Sequence, residues 1–403
     1  MICTIRSFLG PGLIAAGLLM SLFSARAAVT NLETVIHSFL GGTDGWSPEG
    51  KLIVDEGGNF YGTTNLGGTT CAESTEGCGT VFESTPGGET TILYSFLGGS
   101  DGYTPRDGLL LDSDGNLYGT TADGGDSDLG TAFKLAPDGT KTTLHSFAGG
   151  SDGSTPNGDL VADAAGNLYG TTISGGTGMG GVCRDGCGTL FKLTPAGEES
   201  VLYSFQGTAQ GDGAAPSGGL AIDGRGTLYG ATSAGGNAGA GTIFRITPNG
   251  GERVLYTFAG GSDGNGPNGN LIIDRGGNLF GTTVAGGQRS HSSGTVFKVT
   301  RKGVHTVLYS FGSGTDGNTP VAGVGADSAG NLYGTTTSGG VSFLGTVFKV
   351  TPDGQETILH YFEGGSDGFA PFAGVILDGE GKLYGSTIRG GASDKGVVFN
   401  VEI

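Results

Sequence analysis

One heptapeptide recurs through the chain and constrains it more than any other feature. Gly115-Asn116-Leu117-Tyr118-Gly119-Thr120-Thr121 returns, with small changes, at Gly58, Gly166, Gly226, Gly277, Gly330 and Gly381. A Ser-Phe pair or its variant keeps step with it at Phe39, Phe96, Phe147, Phe205, Phe258, Phe311 and Phe362, at spacings of 57, 51, 58, 53, 53 and 51 residues. A period of about 40 to 55 residues that carries several strands is the mark of a propeller. The 87 glycines among 403 residues fall at fixed places in each repeat, without a collagen-like triplet, so they are turn residues.

The second repeat predicts one blade. Residues 108–112 form a short apolar strand and 112–116 a tight turn, with Gly115 where a positive φ is needed. Residues 117–121 form the second strand, in which Gly119 permits close backbone approach. Residues 130–135 form the third strand, and Pro137-Asp138-Gly139 turns the chain into a fourth at 142–147. Four antiparallel strands per repeat make a blade. The segment 34–39 matches a fourth strand with no blade before it, and 396–403 matches a third strand with no fourth after it. The expected fold is therefore an all-β, seven-bladed β-propeller with four antiparallel strands per blade. Its ring is closed by the N-terminal strand, at about residues 34–39, completing the last blade and leaving no open edge.

The heptapeptide, together with the flanking Gly-Thr-x-Phe-Lys and Pro-Asp-Gly, resembles the bacterial tandem repeat called GloVer, over essentially the whole chain after its first 27 residues. The resemblance implies an exported, often surface-anchored protein and no particular ligand or catalytic role. The chain stops at the closing strand without a sorting tail, a departure from the anchored pattern. More loosely, the Asp-x-x-Gly-Asn-Leu-Tyr turn is similar to repeats of other propellers, including virginiamycin B lyase, a likeness of fold and not of function.

Residues 1–27 have the layout of a secretory signal: Arg6 at the start, an apolar run at 13–23, and Ala25-Arg26-Ala27 for cleavage. The run is short for a membrane span. The expected organisation is thus a signal peptide at 1–27 and a single propeller domain at 28–403, secreted, periplasmic or extracellular, and monomeric. Loss of Arg6 and Arg26 with the signal takes the formal charge from −18 to −20. That field opposes nucleic acid, anionic lipid and polyanionic polysaccharide, and tolerates neutral glycans and cations. Cys71 and Cys78 share one loop, Cys183 and Cys187 another. In an oxidising compartment they are expected to form two local disulfides, with a zinc site as the competing assignment.

Loop variation marks one face. Between the second strand's Thr-Thr and the third strand's Gly, blades 2, 4, 6 and 7 have eight residues, blade 1 has fourteen, blade 3 fifteen and blade 5 ten. These loops share a face with the blade-joining loops, the usual ligand face of a propeller. Every joining loop carries Asp-Gly near a Pro, at Asp44, Asp101, Asp152, Asp212, Asp263, Asp316 and Asp367. Such repetition argues for a structural role, and one carboxylate per blade is far from a calcium site. The next residue breaks the symmetry: Trp46, Tyr103 and Phe369 lead into blades 1, 2 and 7, which adjoin once the ring closes. Phe372, Arg106 and Arg389 fall in the same sector. Aromatic platforms beside donors suit sugar rings or a partner's apolar side chains; the alternative is packing over blade junctions.

Catalytic signals are thin. His37, His145 and His360 fill a strand slot held by Tyr94, Tyr203, Tyr256 and Tyr309 elsewhere, and His305 begins a fourth strand on the opposite face. His291, beside Arg289 in an enlarged loop, is the one histidine placed to contact a ligand or act as an acid or base. No nucleophile elbow, paired-His metal motif or phosphate loop is present, and no cofactor or metal is expected. Three functions remain: a binding module for a glycan or a surface protein, with candidate ligand residues Trp46, Tyr103, Arg106, His291, Phe369, Phe372 and Arg389; a scaffold; or a lyase or hydrolase of extracellular polysaccharide. The last would use a central pocket and loop carboxylates such as Glu73, Asp123, Asp126, Asp128, Asp185 and Asp394.

Overall fold

The computed structural model describes residues 33–179, 183–208, 211–288, 293–312, 314–379 and 381–403. They form seven antiparallel sheets, each the blade of a propeller. In blade 2 the strands are Leu110–Leu111, Leu117–Thr121, Thr131–Leu135 and Lys141–Ser146, counted outward from the axis. The signal expected over 1–27 lies outside the described residues.

The heptapeptide works as a turn and a strand at once. Asp112 Oδ1 accepts the backbone N–H groups of Asp114 and Asn116 at 2.9 and 2.8 Å, and Tyr118 donates its hydroxyl to Oδ2 at 3.0 Å. Gly115 takes φ +82° to close that turn. Within the strand, Gly119 lies opposite Phe133, and a β-carbon there would meet the Phe133 ring at 2.8 Å and Leu109 Cδ2 at 2.9 Å. The ring therefore covers the glycine backbone directly, which is the close approach the sequence predicts.

Two devices join each blade to the next. The Ser-Phe phenylalanine that ends one outer strand packs edge-on against the third-strand phenylalanine of the following blade. From Phe96 on Phe133 round to Phe39 on Phe82, the seven centroid distances lie between 5.0 and 5.3 Å, and the rings are fully buried. Each such pair adds about 0.5–1.5 kcal/mol beyond the area it buries. The loop proline also packs on the Gly that opens the preceding blade's third strand: Pro105 on Gly79, Pro156 on Gly130, and at the closure Pro48 on Gly396.

Closure follows the sequence expectation within one residue. Glu33–Ser38 pairs antiparallel with Val397–Glu402, so the N-terminal strand is the outer strand of blade 7. The repeated joining-loop aspartates are structural in their contacts. Asp101 accepts the Leu97 N–H at 2.8 Å and the Tyr94 hydroxyl at 2.9 Å; Asp152 accepts the Ala148 N–H at 2.6 Å and pairs with His145 Nε2 at 3.0 Å. His37 and His360 stand in the same relation to Asp44 and Asp367, at 3.2 and 3.0 Å. Histidine replaces tyrosine in that slot because both present a polar hydrogen-bonding atom at the same reach. His305 instead stacks on Tyr256 at 4.3 Å, and burial lowers its pKa.

Candidate functional site

Between each loop proline and the first apolar residue of the inner strand lie three residues, and these triplets turn in toward the axis. The triplets begin at Glu49, Arg106, Asn157, Ser217, Asn268, Val321 and Phe372. Residues of all seven line a cavity of about 390 Å³. Its size falls at the lower end of the range typical of small-molecule sites.

Local chemistry fixes the backbone there. The first threonine of each Thr-Thr pair reaches inward and donates to a triplet carbonyl or side chain: Thr63 to Asp107 O at 2.9 Å, Thr171 to Asn157 O at 2.9 Å, Thr335 to Ala373 O at 2.9 Å. The second threonine points into the blade, where Thr121 Oγ1 bonds Asp123 O and Thr131 Oγ1 at 2.9 and 2.8 Å. Gly218 takes φ +80°, and a β-carbon on it would sit 2.2 Å from Gly269 O, so only glycine admits this crossing near the axis.

The cavity has two unlike sides. Blades 1 to 5 contribute Glu49, Lys51, Arg106, Asp107, Asn157, Asp159, Asn268 and Asn270, while blades 6 and 7 contribute Val321, Ala322, Phe372 and Ala373. Asp159 anchors the polar side: its Oδ1 accepts the Gly108 N–H at 2.6 Å and its Oδ2 accepts the Asn270 amide, whose own oxygen takes the Gly219 N–H at 2.5 Å. Beside it, Asp107 takes a hydrogen bond from Thr120 at 3.2 Å. Burial, then the negative charge of Asp159, pushes the Asp107 carboxyl up from 3.8 to about 7, against the pull of Gly158, Thr120 and Arg106. Opposite, Phe372 leaves 43% of its surface exposed.

The residues singled out from sequence separate into groups. Arg106 and Phe372 line the cavity. Trp46, Tyr103 and Phe369 each pair with the end of their own second strand, at Leu66, Asp123 and Arg389, and all three are half-buried. Trp46 has Lys395 Nζ over its ring at 3.2 Å and the Arg389 guanidinium at 5.9 Å, both from blade 7. Tyr103 donates to Asp128 at 2.9 Å, and Phe369 packs, as Leu344 and Leu359 do, on the core cluster shared by blades 6 and 7. Arg389 pairs with Asp394 at 3.4 Å. His291 and Arg289 lie outside the described residues. The four cysteines form the disulfides Cys71–Cys78 and Cys183–Cys187, which sets aside the zinc alternative for them.

Sequence reasoning missed Asp107, Asp159 and Asn270. The loop carboxylates it offered serve other ends: Glu73 accepts the Gly99 N–H at 3.1 Å, Asp128 the Gly124 N–H at 3.1 Å, and Asp394 the Gly390 N–H at 2.9 Å. The available signal was the triplet after each loop proline, polar in five repeats and apolar in two.

Seven blades closed by their own N-terminal strand, with a two-sided polar and apolar cavity on the axis, define a β-propeller with a site of small-ligand size. The Gloeobacter/Verrucomicrobia repeat model matches residues 65–184 and 183–399, and the chain belongs to that repeat family. In fold it is similar to virginiamycin B lyase from Staphylococcus aureus, at 13% identity and a TM-score of 0.61, over 92% of this chain and 98% of the other. It is also similar to the extracellular domain of a hybrid two-component system from B. thetaiotaomicron, at 10% identity and a TM-score of 0.56, over 90% of this chain and 39% of that one. A comparison with curated proteins finds no match.

Proposed function

We propose that the protein is an exported binding module that takes a neutral sugar, or a glycan end bearing one, in the axial cavity. The observation that carries this reading is the division of the cavity into a hydrogen-bonding side and an apolar side. A pyranose offers both: hydroxyls at its edge for Asp159, Asn157, Asn268 and Arg106, and a C–H face for the Phe372 ring. Export rests on the two disulfides, the acidic charge and the signal expected at 1–27. Among the described residues no helix is long and apolar enough to cross a membrane. Trp46, with the Arg389 guanidinium 5.9 Å from its ring, offers an outer contact for a longer chain.

A glycan array scored for both retention and product release tests the proposal. Retention is expected, with Phe372→Ala and Arg106→Ala each weakening it at least tenfold while thermal unfolding stays near wild type. Retention that ignores both changes removes the cavity from the argument, and silence across the array favours a protein partner or a scaffold. One observation favours a second reading: Asp107, at about 7, stands beside Asp159, so the cavity holds a carboxyl able to exchange a proton near neutrality. Turnover abolished by Asp107→Asn with retention intact would make the module a hydrolase or lyase.

A further inference from the structure

The seven junctions between blades share a plan. A loop Asp meets the Tyr or His of the preceding outer strand, and the first residue of the next outer strand holds the third position. That residue is Thr90, Lys141, Glu199, Glu252, His305, Glu356 and, in the closing strand, Glu33. At the junction before blade 2 the answer is an ion pair, with Lys141 Nζ 2.8 Å from Asp101.

Two junctions differ in a way that bears on cations. His360, Asp367 and Glu33 meet at one, and His145, Asp152 and Glu199 at the other; in each trio one donor atom per residue lies within 4.8 Å of the rest. The His Nε2 to Asp Oδ1 distance is 3.0 Å in both. Glu33 Oε1 and Glu199 Oε1 are shielded from water with no hydrogen-bond partner, and so is Nδ1 of the fully buried His360. Glu252 Oε1, at a junction with Tyr in place of His, shares that state, so what sets these two junctions apart is the imidazole beside the paired carboxyls. Two half-buried carboxyl groups face each other in each trio; a positive ion between them offsets their repulsion, in place of the proton through which Glu33 hydrogen-bonds Asp367. One imidazole and two carboxylates form a donor set that suits zinc, with positions left for water. Atoms on a tetrahedral zinc at about 2.0–2.1 Å stand roughly 3.3 Å apart, against separations of up to 4.8 Å in these trios.

We propose that these two junctions are divalent-cation sites of the zinc class. His360–Asp367–Glu33 ties blade 6 and the last joining loop to the strand that closes the ring, and His145–Asp152–Glu199 ties blade 2 to blade 3. The protein supplies its own controls. Where Tyr203 stands in place of His, beside Asp212 and Glu252, the junction keeps its shape without an imidazole, so His→Tyr is a change this fold accepts. His37 and Asp44 have Thr90 at the third position and lack the second carboxylate.

The purified chain, stripped with chelator and titrated with zinc chloride by calorimetry, is expected to take up about two ions. His145→Tyr and His360→Tyr should each remove one, and the double variant both. Zinc should raise the melting temperature of the wild type, reversibly with chelator, and leave that of the double variant unmoved. Should either Tyr variant fail to fold, Glu199→Gln and Glu33→Gln ask the same question at constant size. Undiminished zinc uptake by the double variant, or a wild-type melting temperature indifferent to zinc, overturns the proposal. Thr90→Glu is expected to add a third ion beside His37 and Asp44.

Discussion

At the residue scale, Asp107 is the most consequential side chain that the sequence does not single out. Its Arg-Asp-Gly triplet has no charged counterpart in blades 6 and 7, so no repeat pattern marks it, and only the ring brings Asp159 of blade 3 against it. Its carboxyl holds a proton to about 7 in the folded chain, against 3.8 ordinarily. Between those values the native state binds more protons than the unfolded one, so this group's contribution is complete below about pH 4 and is lost as pH rises toward 7. Asp107→Asn should remove that slope, leaving the variant more stable than wild type above pH 7 by on the order of a few kcal/mol. Urea midpoints for the two proteins from pH 4 to 8 measure it; parallel curves would show that Asp107 is not perturbed.

At the scale of elements, strands, turns and disulfides were legible because each depends on neighbours close in sequence. Asp112, Asn116 and Tyr118 lie within one turn, and Cys71 and Cys78 within one loop. The same locality limits what the bridges contribute: the chain-entropy model gives about 2–2.5 kcal/mol for loops this short. The double change Cys71→Ser and Cys78→Ser should lower the melting temperature by only a few degrees and leave the far-ultraviolet spectrum intact. A collapse of the β signal would make the bridge part of the fold itself. The aromatics of the joining loops were legible as a symmetry break but not in their surroundings. That Lys395 would lie over Trp46 depends on blade 7 meeting blade 1, a contact between opposite ends of the chain.

At the scale of the whole molecule, ring closure is the contact on which the others depend. Glu33–Ser38 covers the exposed edge of the last blade, and Phe39 carries the aromatic contact across to Phe82. Deleting the chain through Phe39 should open that edge, broaden unfolding beyond a single transition and promote association through the unpaired strand. A truncated chain that melts like wild type and stays monodisperse would show that the closing strand is dispensable. By itself the sequence determined the blade, the number of blades and the way the ring shuts, because a sevenfold pattern of turn glycines and strand residues repeats the same local solution seven times. Only the tertiary structure decided where the chemistry sits. The cavity draws one triplet from each blade, and each blade junction takes side chains from two blades. Which unlike residues become neighbours is thus set by the geometry of the closed ring and not by any spacing along the chain.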